Sequence, residues 1–240
     1  MLELKLTQVG PKLRRELGEV QLSLGSGEAV AVVGPANSGK SALLAVVAGV
    51  RRDYEGKVTI HHHNLQTQPK LARQLVGYLP NPFVPPAYLT GFEYLEVTGT
   101  AYNLAPQPRL KRINELSGAL KLADELYRPL EQVTGSVLQK VGLAASLLAD
   151  SPVIIWDEPT LRLDYLETQA VAEIAKTLLD KKKSLFFTSN DLRFTALVAE
   201  RYCFLEEGQI IASGRLSQVA NQLHCSPKTL ETIYAHLYSR

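Results

Sequence analysis

The segment Gly34-Pro35-Ala36-Asn37-Ser38-Gly39-Lys40-Ser41 constrains this chain more than any other, because it lies between an apolar run over residues 29–33 and a helical stretch over residues 42–50. It matches G-x-x-x-x-G-K-[ST] in the strand–loop–helix setting that this pattern's chemistry requires. Backbone N–H groups from Gly34, Asn37, Ser38 and Gly39 through Ala42 would cradle phosphates at the positive end of the helix. Lys40 would reach the β- and γ-phosphates and Ser41 would ligate Mg²⁺. The competing reading, a glycine-rich turn without a ligand, does not account for the flanking strand and helix.

Two further apolar runs, over residues 153–156 and 185–187, are too continuous for half-exposed strands and read as buried parallel strands like that over residues 29–33. Helical sequence separates them, which predicts an α/β layer architecture with right-handed crossovers. Residues 1–6 alternate apolar and charged side chains as a strand does. Residues 202–205 and 209–212 flank Glu206-Glu207-Gly208 as a β-hairpin, and two helical stretches follow it. Between Pro80 and about Asp150 the pattern changes. A proline-punctuated loop, Pro80-Asn81-Pro82-Phe83-Val84-Pro85-Pro86, opens a helical stretch that reads as an inserted subdomain.

The 240 residues carry 26 Lys and Arg against 24 Asp and Glu, a net charge of +2, which is too balanced for a chain whose main task is to wrap a phosphate backbone. Nucleic acid is therefore not an expected partner. Cys203 and Cys225 are its two cysteines, so no disulfide framework or thiolate metal site is implied, and a reducing cytosol fits. No run approaches the roughly 18 uninterrupted apolar residues of a spanning helix, and no signal-peptide core is evident. Membrane contact is expected through a partner.

The run Val153-Ile154-Ile155-Trp156-Asp157-Glu158 supplies what the phosphate loop needs, a buried strand ending in two carboxylates where parallel sheets bind ligands. Asp157 would hold the magnesium shell. Glu158 would face the γ-phosphate as base, or orienter, for an attacking water.

Asp157-Glu158-Pro159-Thr160, followed by Leu163-Asp164 and taken with the phosphate loop, resembles the nucleotide-binding domain of ABC transporters over about residues 4–238. Gly56-Lys57-Val58-Thr59-Ile60, Val76-Gly77-Tyr78-Leu79-Pro80, Leu89-Thr90-Gly91, Asp191-Leu192 and Gly208-Gln209-Ile210-Ile211 extend the likeness. The resemblance implies one domain with a P-loop NTPase core of mainly parallel sheet and an N-terminal antiparallel β portion. It assigns the core to about residues 1–80 and 151–215, a helical subdomain to 81–150 and a helical tail to 216–240. It also implies that two such domains sandwich two ATP molecules, each held by one chain's phosphate loop and the other's LSGGQ signature. A membrane-spanning subunit completes the assembly, with the ATP-binding chain peripheral on the inner face of the membrane. Residues 230–237 resemble the tail of export-type members, and would equally suit an amphipathic helix packed on the core.

Several positions depart from the family pattern. The signature reads Val133-Thr134-Gly135-Ser136-Val137, so Thr134, Gly135 and Ser136 are left to contact nucleotide, and Ser136 weakens that contact unless its hydroxyl substitutes. Asn81 stands for the magnesium-contacting glutamine and is one methylene shorter. Asn190, or Ser189 in the alternative register, stands for the histidine that meets the γ-phosphate, keeping a hydrogen bond without a titratable group. No aromatic residue precedes Tyr54, so the family's adenine-stacking ring is missing, and Arg14 or Arg15 is the candidate replacement. Asn37 replaces a glycine where Asn tolerates left-handed backbone. Arg162 enters a loop expected at the dimer interface. There it either obstructs a symmetric pair or serves the partner's nucleotide. His61-His62-His63 reads as an exposed turn, because adjacent strand residues point to opposite faces.

These features predict a transporter ATPase subunit, of export type, that binds MgATP but hydrolyses it poorly and is best suited to a heterodimer. An ATP-binding regulatory or scaffold subunit is the second reading, and an ATPase acting on DNA or the ribosome a third that the charge balance disfavours.

Overall fold

The computed structural model describes residues 2–10, 16–226 and 229–239. Arg14 and Arg15, the candidates for covering adenine, lie outside the described residues.

Strand β1 (Leu2–Val9) buries Leu2, Leu4 and Leu6 and exposes Glu3 and Lys5, the alternation its sequence predicts. It sits between β2 (Val20–Leu24) and β4 (Tyr54–Ile60), antiparallel to both. The two-residue β5 (His63–Asn64) completes this sheet, with Ile60 paired to His63. His61 and His62, at φ 44° and 72°, form the turn between them. Two successive positive φ angles suit a tight hairpin turn. The histidine run is thus a turn at His61 and His62 that enters β5 at His63, with only His62 of the three exposed.

The second sheet is built on β3 (Ala29–Val33), all of whose residues are buried. After β3 come α1 (Lys40–Val47), α2 (Pro69–Gln74), β6 (Val76–Leu79), α3 (Gly91–Ala101), α4 (Pro106–Ala119), α5 (Gly135–Leu147), β7 (Val153–Asp157) and α6 (Tyr165–Asp180). The chain closes with β8 (Ser184–Thr188), α7 (Leu192–Val198), β9 (Arg201–Glu206), β10 (Gln209–Gly214), α8 (Leu216–Gln222) and α9 (Leu230–Tyr238). Strand order is β10-β9-β3-β8-β7-β6, parallel throughout except for the β9–β10 hairpin. This is the α/β architecture expected, with its antiparallel β portion, mixed sheet and helices.

Helix α1 begins two residues earlier than the sequence suggests and stops at Val47 rather than residue 50. Gly39 and Gly49, at φ 102° and 73°, set these limits, since left-handed backbone cannot continue a right-handed helix. Strands β7 and β8 run one or two residues past the apolar runs, taking in Asp157 and Thr188.

Alternate residues of β3 serve two cores. Val30 and Val32 pack with Leu43 and Leu44 of α1 and with the antiparallel sheet. Ala29, Ala31 and Val33 face a second cluster containing Trp156, Leu95 of α3, Ile113 of α4 and Val141 of α5. Helices α3 to α5, which lie between β6 and β7 in the chain, therefore share their apolar cluster with the parallel sheet. Because β3, β7 and β8 run parallel, their C-terminal ends meet on one edge, where order switches from one neighbour to the other.

Candidate functional site

The phosphate loop leaves β3 at that edge. A methyl group on Gly34 would lie 2.2 Å from the Leu205 carbonyl oxygen and 2.8 Å from Ser38 Oγ, so glycine alone fits the close passage. Asn37 occupies φ 61°, the left-handed conformation that its amide side chain tolerates. Lys40, 9% exposed, donates from Nζ to the Gly34 and Pro35 carbonyls at 2.7 Å each. Burial lowers its affinity for a proton, opposed by the charges of Glu158 and Asp157. A cleft of about 670 Å³ opens beside the loop, lined by Asn37, Ser38, Gly39, Lys40, Ser41 and Ala42 together with Glu16 and Glu207. Ser41 is exposed to it.

Asp157 ends β7 and is 1% exposed. Its Oδ1 accepts from Thr188 Oγ1 at 2.6 Å, whereas Oδ2 is buried without a hydrogen-bond partner among the described residues. A buried carboxylate oxygen in that state is costly and suits a cation, and with the Ser41 hydroxyl the donor set is the hard oxygen pair that Mg²⁺ prefers. Both the buried oxygen and the hydroxyl chemistry therefore fit MgATP.

Glu158 adopts φ 55°. Its amide donates to Thr188, at 3.1 Å to Oγ1 and 3.2 Å to the carbonyl, and its Oε2 accepts from the Asn190 amide at 2.9 Å. Burial pushes its carboxyl above the ordinary range, with Asp157 adding to the rise, while the Asn190 amide and Lys40 oppose it. A carboxylate with a raised proton affinity beside a buried cation has the character of a general base.

Of the remaining expected residues, Asn190 joins this cluster through its backbone, and Asn81, Thr134 and Ser136 make other contacts. The Asn190 side chain is exposed, over a hollow shared with Leu163, Asp164 and Tyr165, and it is the backbone amide that meets Glu158. Asn81, exposed and joined to Pro82 by a cis peptide bond, lines a different groove with Phe83, Gln139 and Arg162. Thr134 caps α5, its Oγ1 accepting from the Val137 amide at 3.3 Å. The Ser136 hydroxyl turns inward, donating to both oxygens of Glu167 at 2.8 Å, and so is engaged within the chain rather than offered to a ligand. Arg162, at φ 66°, lays its side chain against Gly135, where an added methyl would meet Cδ at 2.7 Å.

Two contributors, Thr188 and Gln139, have no short motif of their own, whereas Glu167 shows as the last residue of the Asp164-x-x-Glu167 capping box. For Gln139 the signal is a glutamine on the apolar face of α5, which becomes legible once the helix phase is known.

The sequence profile of the family described as ABC transporter matches residues 17–161. The chain belongs to the ABC transporter family. Over 205 residues it is 31% identical to an uncharacterized ABC transporter ATP-binding protein of a Synechocystis strain, an alignment covering 85% of this chain and 57% of that one. The chain thus spans somewhat over half of that relative's length. The vitamin B12 import ATP-binding protein of Shigella boydii is 31% identical over 213 residues, with 85% and 82% covered. The lipopolysaccharide export system ATP-binding protein of Haemophilus influenzae is 28% identical over 213 residues, with 88% of each covered. A solved ATP-binding subunit of an ABC transporter superposes with a TM-score of 0.91 at 25% identity, covering 99% of both chains.

Proposed function

We propose that this ABC chain binds MgATP between two such subunits and uses it to drive a separate membrane-spanning subunit, with hydrolysis impaired. The observation that carries the reading is the meeting of Lys40, Asp157 and Glu158 at one sheet edge, with Asp157 Oδ2 buried and unpartnered. Lys40, Ser41 and the loop amides of Gly34, Asn37, Ser38, Gly39 and Ala42 hold the phosphates. Ser41 and Asp157 would hold Mg²⁺, which would neutralise charge on the phosphates, and Glu158 would orient and deprotonate the attacking water.

The departures around that centre support the reading of impaired hydrolysis. Asn81 lines a groove with Gln139 and Arg162 rather than the phosphate-loop cleft, and the Asn190 side chain is exposed. At α5 Thr134 caps the Val137 amide, and the amides of Gly135 and Ser136 would face a partner's nucleotide. An intact signature on a second, different subunit would complete this chain's site, so a heterodimer is favoured. We assign residues 1–80 and 151–215 to a core, 81–150 to a helical subdomain and 216–240 to a tail. On the family resemblance we place the chain at the inner membrane face through its partner; no helix among the described residues is long and apolar enough to cross a membrane. Export is proposed on the resemblance of the tail. Leu230 and Ile233 of α9 are buried in the core, which accounts for the apolar positions of that helix by packing.

ATP binding and steady-state hydrolysis, measured for the chain alone and mixed with candidate second subunits, test this. Binding without turnover alone, with turnover restored by a second subunit and abolished by Glu158→Gln, is expected. Turnover by the chain alone at roughly 1–100 per second would refute the impairment. Binding with no turnover in any mixture would favour the regulatory or scaffold reading.

A further inference from the structure

Helix α5 presses three polar side chains onto the loop that follows β7 and the first turn of α6 that closes it. Ser136, Gln139 and Lys140 are spaced three and four residues apart and so share one helical face. Ser136 and Lys140 converge on Glu167, the latter donating to Oε1 at 2.9 Å. Burial raises the Glu167 carboxyl, but bonds from Lys140, Ser136 and the Asp164 amide outweigh it and hold the group below its usual range. Glu167 also closes the capping box of α6 with Asp164. One side of the loop is thereby tied to α5.

The other side is tied by Gln139. Only 7% exposed, it donates from Nε2 to the Glu158 carbonyl at 2.9 Å and to the Pro159 carbonyl at 3.2 Å. One bond falls on the Glu158–Pro159 peptide and the other on the peptide after it, which restrains the plane of the first from outside the turn. That plane matters because Glu158 sits at φ 55°, a conformation that a non-glycine residue keeps only where its surroundings over-determine it. Proline at 159 has no N–H with which to anchor the turn from inside. The Leu161 amide reaches the Glu158 carbonyl at 3.2 Å, but it belongs to the same turn and moves with it. Gln139 is the contact on that carbonyl that comes from a different element.

We propose that Gln139 is a positioning residue for Glu158. By gripping the two carbonyls from α5 it holds the Glu158 backbone left-handed and so aims the carboxylate along the edge of the sheet, where the Asn190 amide meets it. Gln139 acts on the carboxylate through these backbone contacts. The inference rests on the reading of Glu158 as the base, and its test separates the two.

The primary variant is Gln139→Met, which keeps length and volume but donates nothing. Gln139→Asn, which keeps the amide but falls one methylene short, serves if the methionine variant does not fold. Leu138→Ala, on the same helix, is the control for a general loss of packing. Hydrogen exchange of the Asn190 amide reads the position of Glu158 without turnover, since that proton is bonded to Oε2. A fall in its protection of about tenfold in the Gln139 variant, with α1 unchanged and no comparable fall in Leu138→Ala, is expected, an amide losing its bond by local opening. In an assembly that turns over, kcat should fall roughly tenfold to a hundredfold with KM unaltered, the penalty of a misplaced reacting group. Unchanged Asn190 protection overturns the proposal, as does a loss of kcat matched by an equal rise in KM. If the parent chain hydrolyses no ATP in any mixture, Glu158 as base fails, while exchange at Asn190 still decides whether Gln139 positions it.

Discussion

Replacing Asp157 with Asn should uncouple ATP binding from magnesium. Thr188 donates to Oδ1 at 2.6 Å, so an asparagine keeps its oxygen there and turns its NH₂ to the Oδ2 position, where a donor cannot ligate a cation. The interaction lost is the recovery of a buried, unpartnered oxygen, worth about 1–3 kcal/mol. Taking about 2 kcal/mol, MgATP affinity falls about 30-fold. At a free concentration of about 100 times the parent Kd, binding stabilises the parent by about 2.7 kcal/mol. The same concentration is then only about threefold above the variant's Kd, and the stabilisation drops to about 0.9 kcal/mol. For a domain of this size each kcal/mol moves Tm by about 2–4 °C, so the MgATP-induced shift should shrink by about 4–7 °C. Thermal melts of both proteins with ATP and either magnesium or a chelator make the measurement. An equal magnesium-dependent shift in Asp157→Asn would refute the assignment of Oδ2 to the metal.

Glu158→Gln tests the raised proton affinity of that carboxyl. The folded chain binds this proton more tightly than the unfolded one, so the group's contribution to stability is whole below the ordinary carboxylate range and is lost as pH rises through the raised value. The variant, which cannot ionise, should therefore gain stability over the parent near neutrality and gain none in acid, as urea melts at the two pH values would show. Where an assembly turns over, the rate should fall as pH drops through the same value, because protonated Glu158 cannot accept a proton; a flat profile there argues against Glu158 as base. Gly34→Ala should cost at least about 1–3 kcal/mol in a denaturant melt, since the clash is with the Leu205 backbone and cannot be relieved by a side-chain rotation. An unaltered midpoint would show that the loop passes β9 less closely. Ser136→Ala should cost about 1 kcal/mol, because Glu167 retains Lys140, and an undetectable cost would mean that the hydroxyl is not held inward.

Much of the site was legible in the linear chain because its parts are local. A phosphate loop is one turn between a strand and a helix, and the backbone demands on Gly34, Asn37 and Gly39 fall on residues suited to them. The buried runs at β3, β7 and β8 declare themselves by lacking alternation, and parallel strands oblige their C-terminal ends to share an edge. Lys40, Asp157 and Glu158 could thus be brought together on paper.

What the tertiary structure decided lies in side-chain direction across long separations. Ser136 reads as a damaged nucleotide contact until Glu167, far along the chain, is seen to take its hydroxyl. Asn190 reads as a side-chain sensor, yet its backbone meets the carboxylate. Asn81 belongs to the expected loop and opens on another groove. Gln139 becomes readable only once the phase of α5 shows a glutamine on its buried face. Periodicity reports which face of an element is apolar, but a hydrogen bond needs distance and angle, and those exist only once α5 is packed beside the end of β7.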